Sequence, residues 1–173
     1  NVFIAVGNTG LIATSADGST WTSKNSGVTF NLVDVAYGKG FFVAIGQGGK
    51  ILRSCDGITW QSTDSGYSSF TSANFINNLF FLTGDTGLLL KSEDAINWTK
   101  INIQANGQTA TDLFTGIAYG SGQYMVISSD RPIYYSNTNF PLFDDLADTN
   151  QIITMFAILG ASVQLVFLYN FIY

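Results

Sequence analysis

Apolar residues along the chain fall in short runs of β-branched and aromatic side chains, separated by Gly, Asn or Asp. Equivalent runs lie at residues 4–7, 43–46, 81–84 and 125–128. Runs of this length and composition, bounded by turn formers, predict strands rather than helices. Together with upstream runs at 35–38, 73–76 and 117–120, they predict a repeating unit. Each unit reads as three strands separated by tight turns, followed by an Asp-Gly turn and a short polar strand such as 61–64.

A seven-residue motif lies at the same place in successive units, with its serines 39 and 38 residues apart. A fainter copy begins 44 residues later at Ser136, with Thr138 at the Asp position and no Trp. A four-stranded antiparallel unit of about 40 residues in tandem is the signature of a β-propeller blade. The three clear copies are Ser15-Ala16-Asp17-Gly18-Ser19-Thr20-Trp21, Ser54-Cys55-Asp56-Gly57-Ile58-Thr59-Trp60 and Ser92-Glu93-Asp94-Ala95-Ile96-Asn97-Trp98.

We therefore predict an all-β fold, a β-propeller of tandem four-stranded antiparallel blades. Four blades lie in this chain, either as a whole ring or as part of a larger one. The 173 residues suit one sizeable core, so we predict a single propeller domain or propeller fragment over 1–173. Its repeat units are 1–30, which starts at a second strand, 31–68, 69–110, 111–150 and a partial unit at 151–173.

The motif residues are interpreted as a turn device rather than a catalytic group. In a tight connection, Ser and Asp side chains accept hydrogen bonds from nearby backbone N–H groups, Gly supplies a positive φ, and Trp packs beneath the turn. The residues assigned this structural role are Ser15, Asp17, Gly18, Trp21, Ser54, Asp56, Gly57, Trp60, Ser92, Asp94 and Trp98.

The motif resembles the Asp-box, or bacterial neuraminidase, repeat in a short form, Ser-x-Asp-Gly-x-Thr-Trp, over about residues 3–140. In that family the box lies on the hairpin between the third and fourth strands of a blade, away from the active site. Sialidases, assembly factors of the photosystem type, and bacterial surface and phage virion proteins share it. The resemblance therefore implies architecture, and function depends on a site.

The residues do not provide hydrolase chemistry. Sialidases require three arginines, a Tyr–Glu pair and an Asp, whereas this chain has Arg53, Arg131 and a single glutamate, Glu93. Histidine is absent, which removes Ser-His-Asp systems and most zinc sites. We predict a protein that is not an enzyme and that has no cofactor and no metal site.

Composition limits the partners. A net charge of −5 with only seven Lys and Arg residues excludes the clustered basic surface that nucleic acids require. Charged residues make up 11% of the chain, which fits strands buried between blades. The lone Cys55 excludes an internal disulfide, so redox chemistry does not indicate a compartment.

The candidate binding surface is the ring of loops opposite the motif hairpins, where polar side chains could bind a sugar or a partner protein. Solvated hairpin tips are the alternative reading. A longer insert at 102–111 belongs to the same ring, Arg53 is read as a solvated edge residue, and the pair Asp144 and Asp145 is read as part of a loop. The candidate ligand-binding residues are Asn8, Gln47, Asp85, Asp130 and Arg131.

Three functions stay open. The first is a non-enzymatic structural or adhesion protein, such as a phage tail or tail-fibre component, within an oligomeric assembly of virion or surface proteins and contacting a host glycan receptor. The second is a secreted or periplasmic glycan binder or assembly factor, and the third is a sialidase-like hydrolase fragment. The corresponding locations are the virion or extracellular space, or the periplasm.

The uncharged stretch 152–173 is long enough to cross a bilayer as a helix. Its β-branched and aromatic content, the break at 159–162, the polar Gln164 and Asn170, and the lack of flanking Lys or Arg favour two buried strands instead. These would complete the first blade or begin a fifth. A membrane helix and a partner contact are the alternatives.

Overall fold

The computed structural model describes residues 2–105, 108–129, 133–136 and 143–145. Their strands form four successive antiparallel sheets, in which strands adjacent in sequence pair with each other, and one separate hairpin. The first blade is β1 (Phe3–Val6), β2 (Ile12–Ser15) and β3 (Thr22–Lys24), with a 3₁₀ turn at Asn8–Gly10. The second is β4 (Leu32–Gly38), β5 (Phe41–Gly46), β6 (Lys50–Ser54) and β7 (Gln61–Asp64).

The third blade is β8 (Phe70–Ile76), β9 (Leu79–Gly84), β10 (Leu89–Ser92) and β11 (Thr99–Lys100). The hairpin β12 (Gln104–Ala105) and β13 (Gln108–Thr109) leads to the fourth blade, which is β14 (Phe114–Gly120), β15 (Gln123–Ser128), β16 (Tyr134–Ser136) and β17 (Phe143–Asp145). The prediction of an all-β chain of tandem four-stranded antiparallel units is confirmed.

Two local predictions were wrong. The insert at 102–111 is not simply a polar loop, because Ile103 and Ala110 are buried beside the fourth blade and their backbones bond to each other. Asp144 and Asp145 lie in strand β17, opposite Tyr135 and Tyr134, rather than in a loop. The predictions for the fourth motif copy beyond Ser136 and for 152–173 lie outside the described residues.

The first hairpin of each complete blade has the same construction. Two residues with positive φ join the first and second strands, at Lys39-Gly40, Asn77-Asn78 and Ser121-Gly122. In a two-residue hairpin turn of this kind, the backbone twist matches the twist of the two flanking antiparallel strands. A β-bulge follows the first residue of β4, β8 and β14, so each of these strands bends at the same point.

The core consists of three clusters, each lying between consecutive blades. Ile12 of the first blade packs with Leu52 of the second, and Val43 of the second packs with Phe80 of the third. Leu89 of the third blade lies in a cluster that it shares with residues of the fourth blade. Because both faces of a middle blade are covered, few of its strand positions can carry a charge. This arrangement accounts for the low charged fraction.

Polar contacts also join neighbouring blades. The Asp34 carboxylate accepts the N–H of Ala73 at 2.9 Å, which links the bulge of β4 to β8. In the third blade, the Thr71 hydroxyl donates to the carbonyl of Phe114 in the fourth.

The proton on Thr71 fixes the direction of a longer chain of hydrogen bonds. Because the Thr71 proton goes to a carbonyl, Thr71 accepts from Thr83, and Thr83 therefore accepts from Ser72; both O–O distances are 2.9 Å. Ser72 in turn accepts from the Asn74 amide at 2.9 Å. Thr83 is fully buried whereas Thr71 and Ser72 are half-buried, so these hydrogen bonds satisfy one hydroxyl group that water cannot reach.

Candidate functional site

The three motif copies form nearly identical turns, which we call the Ser-x-Asp turns (15–21, 54–60 and 92–98). In the second, the Ser54 Oγ accepts the N–H of Gly57 at 2.8 Å and its hydroxyl donates to Asp56 Oδ1 at 2.9 Å. Asp56 Oδ1 also accepts the N–H groups of Ile58 and Thr59 at 2.8 and 2.7 Å. The polar atoms of the motif are thus used within their own turn, as predicted from the sequence.

The other two turns repeat these bonds with Ser15 and Asp17, and with Ser92 and Asp94. The residue after Asp is left-handed in every case, with φ of 76° at Gly18, 73° at Gly57 and 60° at Ala95. Ala95 is the exception to the expected Gly, and it is buried.

The turn donors stabilise the ionised carboxylates. The N–H of Thr59, then that of Ile58 and the Ser54 hydroxyl, lower the pKa of Asp56 from 3.8 to about 2. The equivalent groups, led by the N–H of Thr20, lower the pKa of Asp17 to about 2. The N–H groups of Asn97 and Ile96 lower the pKa of Asp94 as well. Carboxylates with a lowered pKa are poor proton donors at neutral pH, which argues against a general-acid role.

The tryptophans of the turns are less buried than predicted. Trp21 is 44% exposed, and Trp60 and Trp98 are half-buried. The indole N–H of Trp60 donates to the carbonyl of Gly57 at 3.3 Å, and that of Trp21 to Gly18 at 3.1 Å. Each of these two rings therefore lies along its turn with its polar edge satisfied, rather than deep in the core.

Three of the five predicted loop residues, Asn8, Gln47 and Asp85, lie at the opposite end of the blades, which we call the loop face. Asn8 and Gln47 are exposed in the turns between second and third strands. Asp85 occupies the equivalent turn, is half-buried, and accepts the Ser68 hydroxyl at 3.0 and 3.2 Å. No hydrogen bond of the described residues joins any two of these three, and Asp130 and Arg131 lie outside them. Their assignment as a binding site stays a prediction.

Backbone bonds fix the turns of the loop face against the links between blades. The N–H of Thr9 donates to the side-chain oxygen of Asn31 at 2.8 Å, and the N–H of Leu32 donates to the carbonyl of Gly7 at 3.0 Å. Asn31, which precedes β4, the first strand of the second blade, was not singled out from the sequence. Its only sequence signal is its position between two apolar runs.

Arg53 is not the solvated edge residue that was predicted. It is half-buried, and its guanidinium carbon lies 3.5 Å from the centre of the Phe41 ring. This is a stacking contact within the second blade. A polar cleft of about 280 Å³ lies at the third Ser-x-Asp turn and is lined by Lys91, Ser92, Glu93, Asp94, Asn97 and Thr99.

Large exposed apolar side chains concentrate at the end of the blades that carries the Ser-x-Asp turns. Seven of the ten described lie there, which places the apolar surface opposite the predicted binding loops. Sequence reasoning did not find this surface. The seven residues are Val2, Phe3, Trp21, Tyr37, Ile58, Ile96 and Tyr119.

Within the described ranges, no helix is long and apolar enough to cross a membrane. No group of three His, Cys, Asp or Glu side chains within those ranges lies close enough to hold a metal ion.

Consecutive four-stranded antiparallel blades, packed face to face and joined by repeated turns, define a β-propeller. Among the solved structures that resemble this fold are two of YCF48. YCF48 bound to D1 peptide matches with a TM-score of 0.62 and 14% identity, over 84% of this chain and 50% of that one. YCF48 from Cyanidioschyzon merolae matches with a TM-score of 0.60 and 16% identity, over 81% and 50%.

The chain spans about half the length of these two structures. Identities this low establish the shared fold alone. No protein-family model matches the chain, and no curated protein matches it.

Proposed function

We propose that this β-propeller is not an enzyme and acts through protein–protein contacts, as a structural or adhesion component of a larger assembly. The observation that carries the proposal is the use of the motif side chains. The Ser and Asp groups that could look catalytic accept backbone N–H groups of their own turns at 2.7 to 3.3 Å, so their role is conformational.

We further assign the Ser-x-Asp turns as Asp-boxes. The Ser–Asp hydrogen bond, the left-handed residue that follows Asp, and the location between third and fourth strands support the assignment. A sialidase-like hydrolase fragment is the least favoured alternative, because an arginine triad cannot be formed from Arg53 and Arg131 of this chain. Purified protein should release no sialic acid. Turnover above a boiled control that follows the protein through two chromatography steps would contradict this.

A virion component, such as part of a phage tail, is the first candidate setting. The low charge and the short Asp-Gly-x-Thr-Trp motif support it. A secreted or periplasmic assembly factor is the second, and one specific observation favours it: the similar propeller YCF48 has been solved bound to D1 peptide. Both settings require a peptide or protein surface.

The test is affinity capture with the full chain and a loop-face variant, Asn8→Ala/Gln47→Ala/Asp85→Asn. We expect a stoichiometric partner that is lost with this variant. Glu93→Gln, exposed at the opposite end of the blades, is the matched control and should retain the partner. A virion structural protein identified by mass spectrometry would support the first setting, and an envelope or secreted protein the second. Equal capture by both variants would remove the loop face from the proposal.

A further inference from the structure

Two of the three Ser-x-Asp turns contain an Asp-Gly dipeptide, at Asp17-Gly18 and Asp56-Gly57, whereas the third contains Asp94-Ala95. The turn favours glycine because the residue after Asp has a positive φ in all three copies. Asp-Gly is also the dipeptide at which aspartate isomerises most readily, because glycine has no side chain to shield its nitrogen. The turn conformation therefore introduces a chemically labile dipeptide into the blade.

Isomerisation begins with attack by the glycine nitrogen on the side-chain carbon Cγ of Asp. A C–N bond forms, and the carboxyl hydroxyl leaves with the proton of the nitrogen as water, which gives a cyclic imide. Water then adds to either ring carbonyl and breaks its C–N bond, so the product is Asp again or isoaspartate. The first step requires a free nitrogen, a carboxyl group that can turn towards it, and a protonated carboxyl group from which the hydroxyl can leave.

The glycine nitrogen is not free in these turns. The N–H of Gly57 donates to Ser54 Oγ at 2.8 Å in a buried contact, and Gly57 itself is buried. In the first turn, the N–H of Gly18 donates to Ser15 Oγ at the same distance. Before the nitrogen can approach Cγ, this hydrogen bond has to break and the peptide group has to rotate.

The carboxylate is held in place as well. Asp56 Oδ1 accepts the Ser54 hydroxyl at 2.9 Å and the N–H groups of Ile58 and Thr59 at 2.8 and 2.7 Å. The donors, led by the N–H of Thr59, lower the pKa of Asp56 from 3.8 to about 2. The reactive protonated form is therefore about 50-fold less populated at pH 5 than in an ordinary Asp.

We propose that the serine of the two Asp-Gly turns has a second role besides shaping the turn: it protects the dipeptide from isomerisation, by binding the glycine N–H and the Asp carboxylate at the same time. Ser15 protects Asp17, and Ser54 protects Asp56. Both Asp residues are exposed, so the protection comes from hydrogen bonds rather than from burial. This inference goes beyond the proposed function and does not rest on it.

The test is Ser54→Ala in the full chain, kept at mildly acidic pH and body temperature, with isoaspartate at each position quantified by peptide mapping and mass spectrometry. In the natural chain, isoaspartate at Asp17 and Asp56 should form at least about tenfold more slowly than in a synthetic peptide of residues 13–23. In Ser54→Ala, the rate at Asp56 should rise about tenfold. Asp17 in the same molecule should stay slow.

Ser92→Ala is the matched control. It removes the equivalent hydrogen bonds, which are 2.9 Å from the N–H of Ala95 and 3.0 Å to Asp94 Oδ1, but the methyl group of Ala95 still shields the nitrogen. Asp94 should therefore gain little isoaspartate. The Ser92→Ala/Ala95→Gly variant should gain about as much as Ser54→Ala.

Three results would overturn the proposal. Isomerisation of Asp56 in the natural chain as fast as in the peptide would show that the turn gives no protection. An unchanged rate in Ser54→Ala would show that the serine does not provide it. Equal acceleration at Asp17 and Asp56 in a folded Ser54→Ala protein would assign the protection to the fold as a whole. Ser15→Ala, in which only Asp17 should accelerate, gives the same comparison if Ser54→Ala does not fold.

Discussion

The left-handed position of the second Ser-x-Asp turn provides a quantitative test of blade packing. Gly57 has a φ of 73°, and a Cβ built there would lie 2.8 Å from Ile4 Cδ1 in the first blade. Gly57→Ala should therefore cost about 1–2 kcal/mol for the left-handed conformation and about 1 kcal/mol or more for overpacking. Gly18→Ala isolates the first cost, since its φ is 76° and its nearest neighbour, Phe3, is 3.8 Å away.

The third turn shows how the overpacking can be relieved. Ala95 holds the equivalent position with a φ of 60°, and Val43, one methylene smaller than Ile, stands in the same core cluster at the place equivalent to Ile4. Ile4→Val alone should cost about 0.5–1.5 kcal/mol. In the Gly57→Ala/Ile4→Val double variant the loss should fall short of the sum by about 1 kcal/mol, as contacting residues couple.

The assay is urea unfolding of the three single variants, the Gly57→Ala/Ile4→Val and Gly18→Ala/Ile4→Val double variants and the natural chain, with midpoints and slopes fitted together. Gly57→Ala should be the least stable of the single variants, and Gly18→Ala should show no coupling with Ile4→Val. Strict additivity for the Gly57→Ala pair, or equal losses for Gly18→Ala and Gly57→Ala, would refute the packing argument.

Three further results are expected. The pKa values of the turn carboxylates are lower in the folded protein than the unfolded value of about 3.9, so their stabilisation is complete above about pH 4 and is lost as the pH falls towards 2. Asp56→Asn, which keeps an acceptor, should flatten that decline in urea midpoints, and an unchanged profile would contradict this. Thr83→Val should cost about 1–3 kcal/mol, because it removes a fully buried hydroxyl and leaves the half-buried Ser72 hydroxyl without its acceptor. Thr115→Val, at an exposed 3.4 Å contact, should change stability by less than about 0.5 kcal/mol. Phe80→Ala should cost about 3–5 kcal/mol of stability, because Phe80 is fully buried, and Trp60→Ala should cost less. A larger loss for Trp60→Ala in calorimetry would show that Trp60 is a core residue.

The sequence repeat was enough to predict the strands and turns within a blade. It was not enough to predict which side chains contact each other between blades or between strands. A turn such as 54–60 is specified within seven residues, so its hydrogen bonds follow from Ser54, Asp56 and Gly57 alone. The burial of Trp60 depends instead on what the neighbouring blade places over the ring. The stacking of Arg53 on Phe41 likewise pairs two residues twelve positions apart in different strands.

The candidate binding residues were predictable only as positions. Equivalent turns on the loop face could be aligned from the repeat, which located Asn8, Gln47 and Asp85 correctly in exposed or half-buried turns between second and third strands. Their hydrogen-bond partners could not be read from the alignment. Asp85 bonds Ser68 in the preceding link, and a link has no counterpart of constant length between units.

Residues that differ between equivalent positions are where specificity can lie, because residues that repeat are already used by the fold. Thr83 stands where the second and fourth blades have Ile45 and Ile127, and it directs hydrogen bonds towards the fourth blade. Phe3 stands where Phe42, Phe80 and Tyr124 are covered, and it is exposed. The difference at Thr83 is buried inside the propeller, so it can affect only which blades pack next to each other. The second difference, among the described residues, leaves an aromatic ring exposed at the end of the blades that carries the Ser-x-Asp turns.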